Sequence, residues 1–270
     1  PEMITAFKKA ADQYGTGSAS SALVSGYFSA HQTLEQQAAE LFGYESCLYV
    51  SSGYLANIGV LQTLLDAQSV CVQDRLDHAC LVDGGRFSGC TLKRYPHQDL
   101  AHAEKLCTDA QSENIFLVSD GVFSMDGDAA DLTALTRIAT RSNATLMIDD
   151  AHGVGVLGAN GLGSVQANQL TAEQVSILII PAGKALGGQG ALILSKQIII
   201  QHLIETARSY LFSTAPAPAM AAALSHALKC LQTQPEHHAR LQENIAHFTQ
   251  LANAAALPVL PSQSAIQPLM

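Results

Sequence analysis

The chain has 270 residues, 48% of them hydrophobic and 14% charged, enough apolar material for one large core or a core and a half. A formal net charge of −9 with no basic run argues against nucleic acid or an anionic membrane as partner. No apolar stretch reaches the roughly 20 residues a membrane-spanning helix needs. The six cysteines, none in a C-x-x-C pair, read as reduced thiols of a cytoplasmic protein.

The first predicted helix covers 5–15 and stops at Gly15, and a polar loop follows over 17–21. A second helix runs over 31–42, with Gly43 as its stop. Residues 47–50 read as a strand and Ser51-Ser52-Gly53-Tyr54 as its turn into a helix carrying Leu55, Ile58, Leu61 and Leu65 at helical spacing. Strands over 70–72, 92–95, 115–118 and 146–148 then alternate with helices over 77–86, 99–109 and 132–141. A Gly- and Asp-rich loop spans 120–127. A strand over 177–180 has a hairpin partner over 191–194. Helices over 197–210 and 218–231 follow, and an amphipathic helix over 236–251 leads away. This alternation implies an α/β fold, a mostly parallel, doubly wound sheet flanked by helices. The expected division is a large domain over 1–232 and the start of a smaller α+β domain over 233–270. A chain that opens on Pro1 and stops just after a turn reads as a piece of something longer.

Polar chemistry gathers where apolar runs end. Leu146-Met147-Ile148 breaks into Asp149, Asp150, Ala151 and His152, at the carboxyl end of a buried strand, where open α/β sheets bind ligands. The next run breaks into Pro181-Ala182-Gly183-Lys184, followed by Gly187, Gly188 and Gly190, small residues that leave room for a bulky group beside the lysine. A buried carboxylate at one strand end and a lysine at the next suit pyridoxal phosphate. The amine forms a Schiff base with the aldehyde. The carboxylate keeps the pyridine nitrogen protonated, which makes the ring an electron sink. Singly, such residues are more often solvated or loop-capping, so the combination carries the reading.

Other groups have two readings each. Ser52 and Gly53 open a helix after a strand, where backbone N–H groups and the helix dipole favour a phosphate; an ordinary N-cap serine is the alternative. His78 can stack on a planar heteroaromatic ring or serve as a capping or core histidine. Ser124 can bond a phenolic oxygen or act as a turn serine. Residues 153–158 fit G-x-G-x-x-G literally, the seed of a dehydrogenase reading, but no strand leads directly into the glycines and no helix follows them. A non-catalytic protein on an enzyme fold is the third class. No H-E-x-x-H or similar spacing points to a metal among the ten histidines.

Taken together, the motifs resemble those of the α-oxoamine synthases, pyridoxal-phosphate enzymes of the aspartate-aminotransferase-like fold type I. The blocks are Val24-Ser25-Gly26-Tyr27 with His31-Gln32, DGVFSMDG over 120–127, DDAHG over 149–153, Gly183-Lys184-Ala185-Leu186-Gly187, and Ser264-Ala265-Ile266-Gln267-Pro268. They stand in the family's order over nearly the whole chain. The resemblance implies Lys184 as the Schiff-base lysine that later moves a substrate proton, and Asp149 on the pyridinium nitrogen. It puts His152 and Ser124 at the phenolic oxygen and His78 stacked on the ring. Ser52, Gly53 and Tyr54 take the phosphate, and Thr214 reaches the partner subunit's phosphate across a homodimer interface. The implied reaction is a decarboxylative condensation of L-alanine with a pimeloyl thioester, linked to CoA or to acyl carrier protein, in biotin synthesis. The first and last blocks favour this branch over glycine C-acetyltransferase. Two positions depart from the family: Ala19-Ser20 replaces a glycine pair, and Pro181 replaces a hydroxyl residue. The resemblance also implies an N-terminal segment and most of a small C-terminal domain beyond this chain, with the arginines that bind substrate carboxylates.

Overall fold

In the computed structural model, residues 2–270 are described. Helix α1 (Glu2–Tyr14) leads through a loop and a short π-turn at Ala22–Gly26 into α2 (Ser29–Phe42), which Gly43 ends in the left-handed conformation. Then come β1 (Ser46–Val50), α3 (Gly53–Leu64), β2 (Val70–Asp74), α4 (Ala79–Ser88), β3 (Thr91–Tyr95), α5 (Leu100–Thr108), β4 (Ile115–Asp120), α6 (Leu132–Ser142) and β5 (Thr145–Asp149). A loop region containing the one-turn α7 (Ser164–Ala167) leads to β6 (Ile177–Pro181) and β7 (Ala191–Ser195). Four helices close the chain: α8 (Gln197–Thr206), α9 (Arg208–Leu211), α10 (Pro218–Thr233) and α11 (Pro235–Ala254). Pro218 and Pro235 each open a helix at the first position, where no backbone N–H is required.

The seven strands form one sheet in the order β1-β7-β6-β5-β4-β2-β3. β3, β2, β4, β5 and β6 are parallel to one another, and β7 runs antiparallel to both β6 and β1, so the expected hairpin stands. Each strand's alternation feeds two cores. Leu146 and Ile148 of β5 face a cluster with α2, α5, α6 and α10, while Met147 faces a cluster with α3, α4 and α8. Both faces are therefore covered, which is why these strands read as continuous apolar runs. From β2 the chain goes to β3 on one side, while β4 lies on the other. This reversal places the carboxyl ends of β2, β4, β5 and β6 around a single crevice.

Three local expectations change. The helix expected over 197–210 breaks at buried Ala207, which is extended, so that Ser209 Oγ can bond Leu55 O at 3.2 Å. The helix expected from 77 begins at Ala79, and His78 is its N-cap, accepting from Cys80 N. The glycines after Lys184 serve the chain itself: Gly187 and Gly190 have φ of 63° and 100°, and a side chain on Gly190 would collide with Tyr49.

Candidate active site

A cavity of about 170 Å³ opens at the carboxyl ends of β4, β5 and β6. Lys184, Asp149, His152 and His78 all line it, as do Ser124, Gly53 and Tyr54. Ser52 is not among the lining residues. It caps α3 by accepting from Leu55 N at 3.2 Å, which leaves the first-turn amides of Gly53 and Tyr54 without an intrahelical acceptor. Thr214 lies outside this cavity, exposed and bridged to Ser21.

Asp149 ends β5 and is almost fully buried. Its Oδ2 accepts from Asn57 Nδ2 at 2.5 Å and its Oδ1 from Ala151 N at 3.0 Å. Burial raises its pKa, while Asn57, Ala151 N–H, Lys184 and His78 pull the other way. Among the described residues no cationic side chain forms an ion pair with it. Asn57, buried behind Asp149, is a supporting residue that the sequence reading does not single out; its signal is an amide inside the otherwise apolar run of α3. Its Oδ1 is buried without a partner.

His78 is fixed through its backbone, its N–H donating to Asp120 Oδ2 at 2.9 Å. Asp120, also missed, ends β4 and is in turn tied by its own N–H to Asp77 Oδ1 at 3.0 Å. Burial drives the pKa of both carboxyls well up; the charge of Asp77 adds to it at Asp120, and that of Asp74 adds to it at Asp77. His152 sits in a tight turn, and burial, then Lys184 and His78, push its imidazole down to about 4. It is therefore neutral at neutral pH. Tyr54 Oη donates to Asp83 at 2.8 Å. Pro181 covers the start of α3, close enough that a side chain on Gly53 would meet its ring at 2.8 Å.

Asp150, which period-two alternation points to the other side of the strand from Asp149 and makes the less important of the two for the chemistry, is not among the residues lining the cavity; it lies just beyond the end of β5 and is completely buried. Ser164 N donates to its Oδ2 at 2.8 Å, and burial lifts its pKa to about 6. A side chain on Gly153 or Gly163 would strike its carboxylate. The glycine-rich stretch is thus folded around an internal anion, which removes the dinucleotide reading.

The donor set fits pyridoxal phosphate on this structure's own terms. A buried carboxylate without an ion-pair partner, the residues that open α3 and the Lys184 amine all line one cavity.

The family model for aminotransferase class I and II matches residues 2–270. The 8-amino-7-oxononanoate synthase of Xanthomonas axonopodis pv. citri is 43% identical over 270 residues, covering 100% of this chain and 67% of that one. The enzyme of the same name from Chromohalobacter salexigens is 44% identical over 271 residues, covering 100% and 70%. The chain belongs to the class I and II aminotransferases, and within them to the 8-amino-7-oxononanoate synthase family. It spans about two thirds of the length of these relatives. Among solved structures, the family's 8-amino-7-oxononanoate synthase from Francisella tularensis is 32% identical with a TM-score of 0.83, covering 97% of this chain and 73% of that one. Serine palmitoyltransferase from S. paucimobilis, with a bound PLP–myriocin aldimine, is 26% identical with a TM-score of 0.96, covering 100% and 70%.

Proposed function

We propose that this chain joins L-alanine to a pimeloyl thioester, releasing CO2 and the free thiol and yielding 8-amino-7-oxononanoate, in biotin synthesis. The observation that carries the reading is the buried Asp149 carboxylate, held by two amide donors, in the same cavity as the Lys184 amine. When bound, pyridoxal phosphate supplies a reactive aldehyde and a pyridinium ring that spreads the charge left on a substrate carbon.

The residues do the rest. Asp149 would hold the proton on the ring nitrogen of bound pyridoxal phosphate, a cation that its burial without an ion-pair partner would suit. Asn57 and Ala151 N–H fix the carboxylate's orientation. Lys184 would be the nucleophile toward the aldehyde and the base that removes and returns the substrate α-proton. His152, neutral at working pH, offers a hydrogen bond at the phenolic oxygen beside Ser124 without adding charge next to Lys184. His78, in the cavity wall, would cover the ring face. Gly53 and Tyr54 amides, at the positive end of α3, take the phosphate with Ser52 and Pro181 shaping the pocket.

The division into a large domain over 1–232 and the beginning of a small one from 233 belongs to the same reading; α11 leaves the sheet, though His238 and Gln242 still bond Val156 O. So does a homodimer that brings Thr214 to the neighbouring phosphate, supported by the exposed Leu23, Val24, Tyr27 and Phe212. A cytoplasmic location agrees with six free thiols. Among the described residues no helix is long and apolar enough to cross a membrane.

The test supplies protein and cofactor with L-alanine and pimeloyl-CoA and follows product by mass spectrometry. Cofactor-dependent 8-amino-7-oxononanoate is expected. Faster product from glycine and acetyl-CoA would move the protein to the acetyltransferase branch, and no product from either pair overturns the reading.

A further inference from the structure

One cluster of titratable groups beside the cavity has no part in the chemistry above. His97 follows β3 in Tyr95-Pro96-His97-Gln98. Its Nδ1 lies 3.0 Å from Asp74 Oδ1 and its Nε2 2.9 Å from Asp128 Oδ2. Its ring also meets the ring of Phe123 edge-on, 4.5 Å between centroids. Phe123 and Asp128 stand on either side of Ser124, so one imidazole grips both ends of the turn that carries Ser124 to the cavity. Gln98 reinforces the clamp: its N–H donates to Asp74 Oδ2 at 2.8 Å and its amide to Asp128. From the outer side, Ser262 and Ser264 hydroxyls bond Gly127 O at 2.6 and 2.9 Å.

We propose that His97 is a positioning residue, which bridges Asp74 and Asp128 to hold the Ser124 turn against the cofactor site. The inference rests on the reading that this cavity takes pyridoxal phosphate. Donating through both ring nitrogens requires a protonated imidazole, because the neutral ring has one N–H. The groups facing it are Asp74 at the end of β2 and Asp126 and Asp128 from the turn, whose oxygens lie within 4.8 Å of it; Asp77 and Arg94 bond the Asp74 backbone instead, at its N–H and its C=O. Burial pulls the imidazole down, but the bonds to Asp74 and Asp128 outweigh it and leave its pKa above the usual value. The clamp is therefore complete below that raised pKa and loses one bond above it. Cofactor affinity should fall as pH rises through it.

The test titrates cofactor-free protein with pyridoxal phosphate for wild type, His97→Ala, Ser124→Ala and the double variant, with thermal melts alongside. His97→Ala should weaken binding about tenfold, equivalent to about 1.4 kcal/mol. The double variant should bind no more weakly than Ser124→Ala alone, because His97 acts through that serine. Asp128→Asn should reproduce His97→Ala from the other end of the bond and serves if His97→Ala does not fold. Wild type should lose affinity with rising pH in a step that His97→Ala lacks. Unchanged affinity in both clamp variants, or losses that simply add in the double variant, overturns the proposal while leaving the cavity reading intact. A wild-type protein with no affinity for pyridoxal phosphate overturns both.

Discussion

Replacing Asn57 by alanine separates the electrostatic support of Asp149 from everything else in the core. Asn57 is fully buried, and its Nδ2 lies 2.5 Å from Asp149 Oδ2. A hydrogen bond to a charged acceptor is worth about 1.5–3 kcal/mol, which corresponds to about one to two pKa units. Once it is gone, Ala151 N–H at 3.0 Å is the hydrogen-bond donor that still holds that carboxylate, so a pKa already raised by burial rises further. The sign follows from proton counting. A carboxyl with a folded pKa above its unfolded value keeps, in the folded chain, a proton that the unfolded chain has released. Stability therefore falls as pH climbs between the two values. The variant should lose a pH-independent amount through the cavity and the lost bond to Gly53 O. It should lose the electrostatic amount on top as Asp149 ionises. Urea denaturation of the cofactor-free protein, from about pH 5 to about pH 8, measures both parts. Repeating it with Asp149→Asn removes the titrating group, and the pH-dependent part should vanish. A difference between Asn57→Ala and its parent that is constant with pH in both backgrounds refutes the reasoning.

Lys184→Ala should abolish turnover and the borohydride-reducible link between protein and cofactor; a variant that still forms a reducible adduct assigns that chemistry elsewhere. Asp150→Asn should flatten the stability profile between the ordinary carboxylate range and about 6, because burial has raised this group and its ionisation destabilises the fold as pH rises through that window; a stability profile unchanged from wild type would show that Asp150 does not carry this cost. Pro181→Thr should tighten cofactor binding about tenfold, the lower end for one bond to a charged group, since proline offers neither hydroxyl nor N–H. Equal dissociation constants in a pyridoxal phosphate titration would mean that the Gly53 and Tyr54 amides already satisfy the phosphate.

Much of the architecture was legible because its signals are local. Apolar runs and helical spacing marked most strands and most helices. The abrupt change from Ile148 to Asp149, and from Ile180 to Lys184, marked the crevice. Burial on both sheet faces kept those strands apolar, and the change of chemistry at their ends stood out for that reason. The five motif blocks then named the family, which the relatives bear out.

What the sequence by itself determined was therefore the order of elements, the strand ends that bear chemistry, and the family. Tertiary structure alone decided which distant side chain meets which. Asn57 reaches Asp149 across 92 positions, and His78 N–H finds Asp120 across 42. His97 closes on Asp128 from another crossover altogether. Such pairings depend on strand order, with β4 between β2 and β5, and the local periodicity of a strand carries no record of its neighbours. The same limit explains Asp150. Period-two alternation holds only while the strand lasts, and β5 ends one residue earlier, where the chain turns inward and wraps its glycines around the carboxylate.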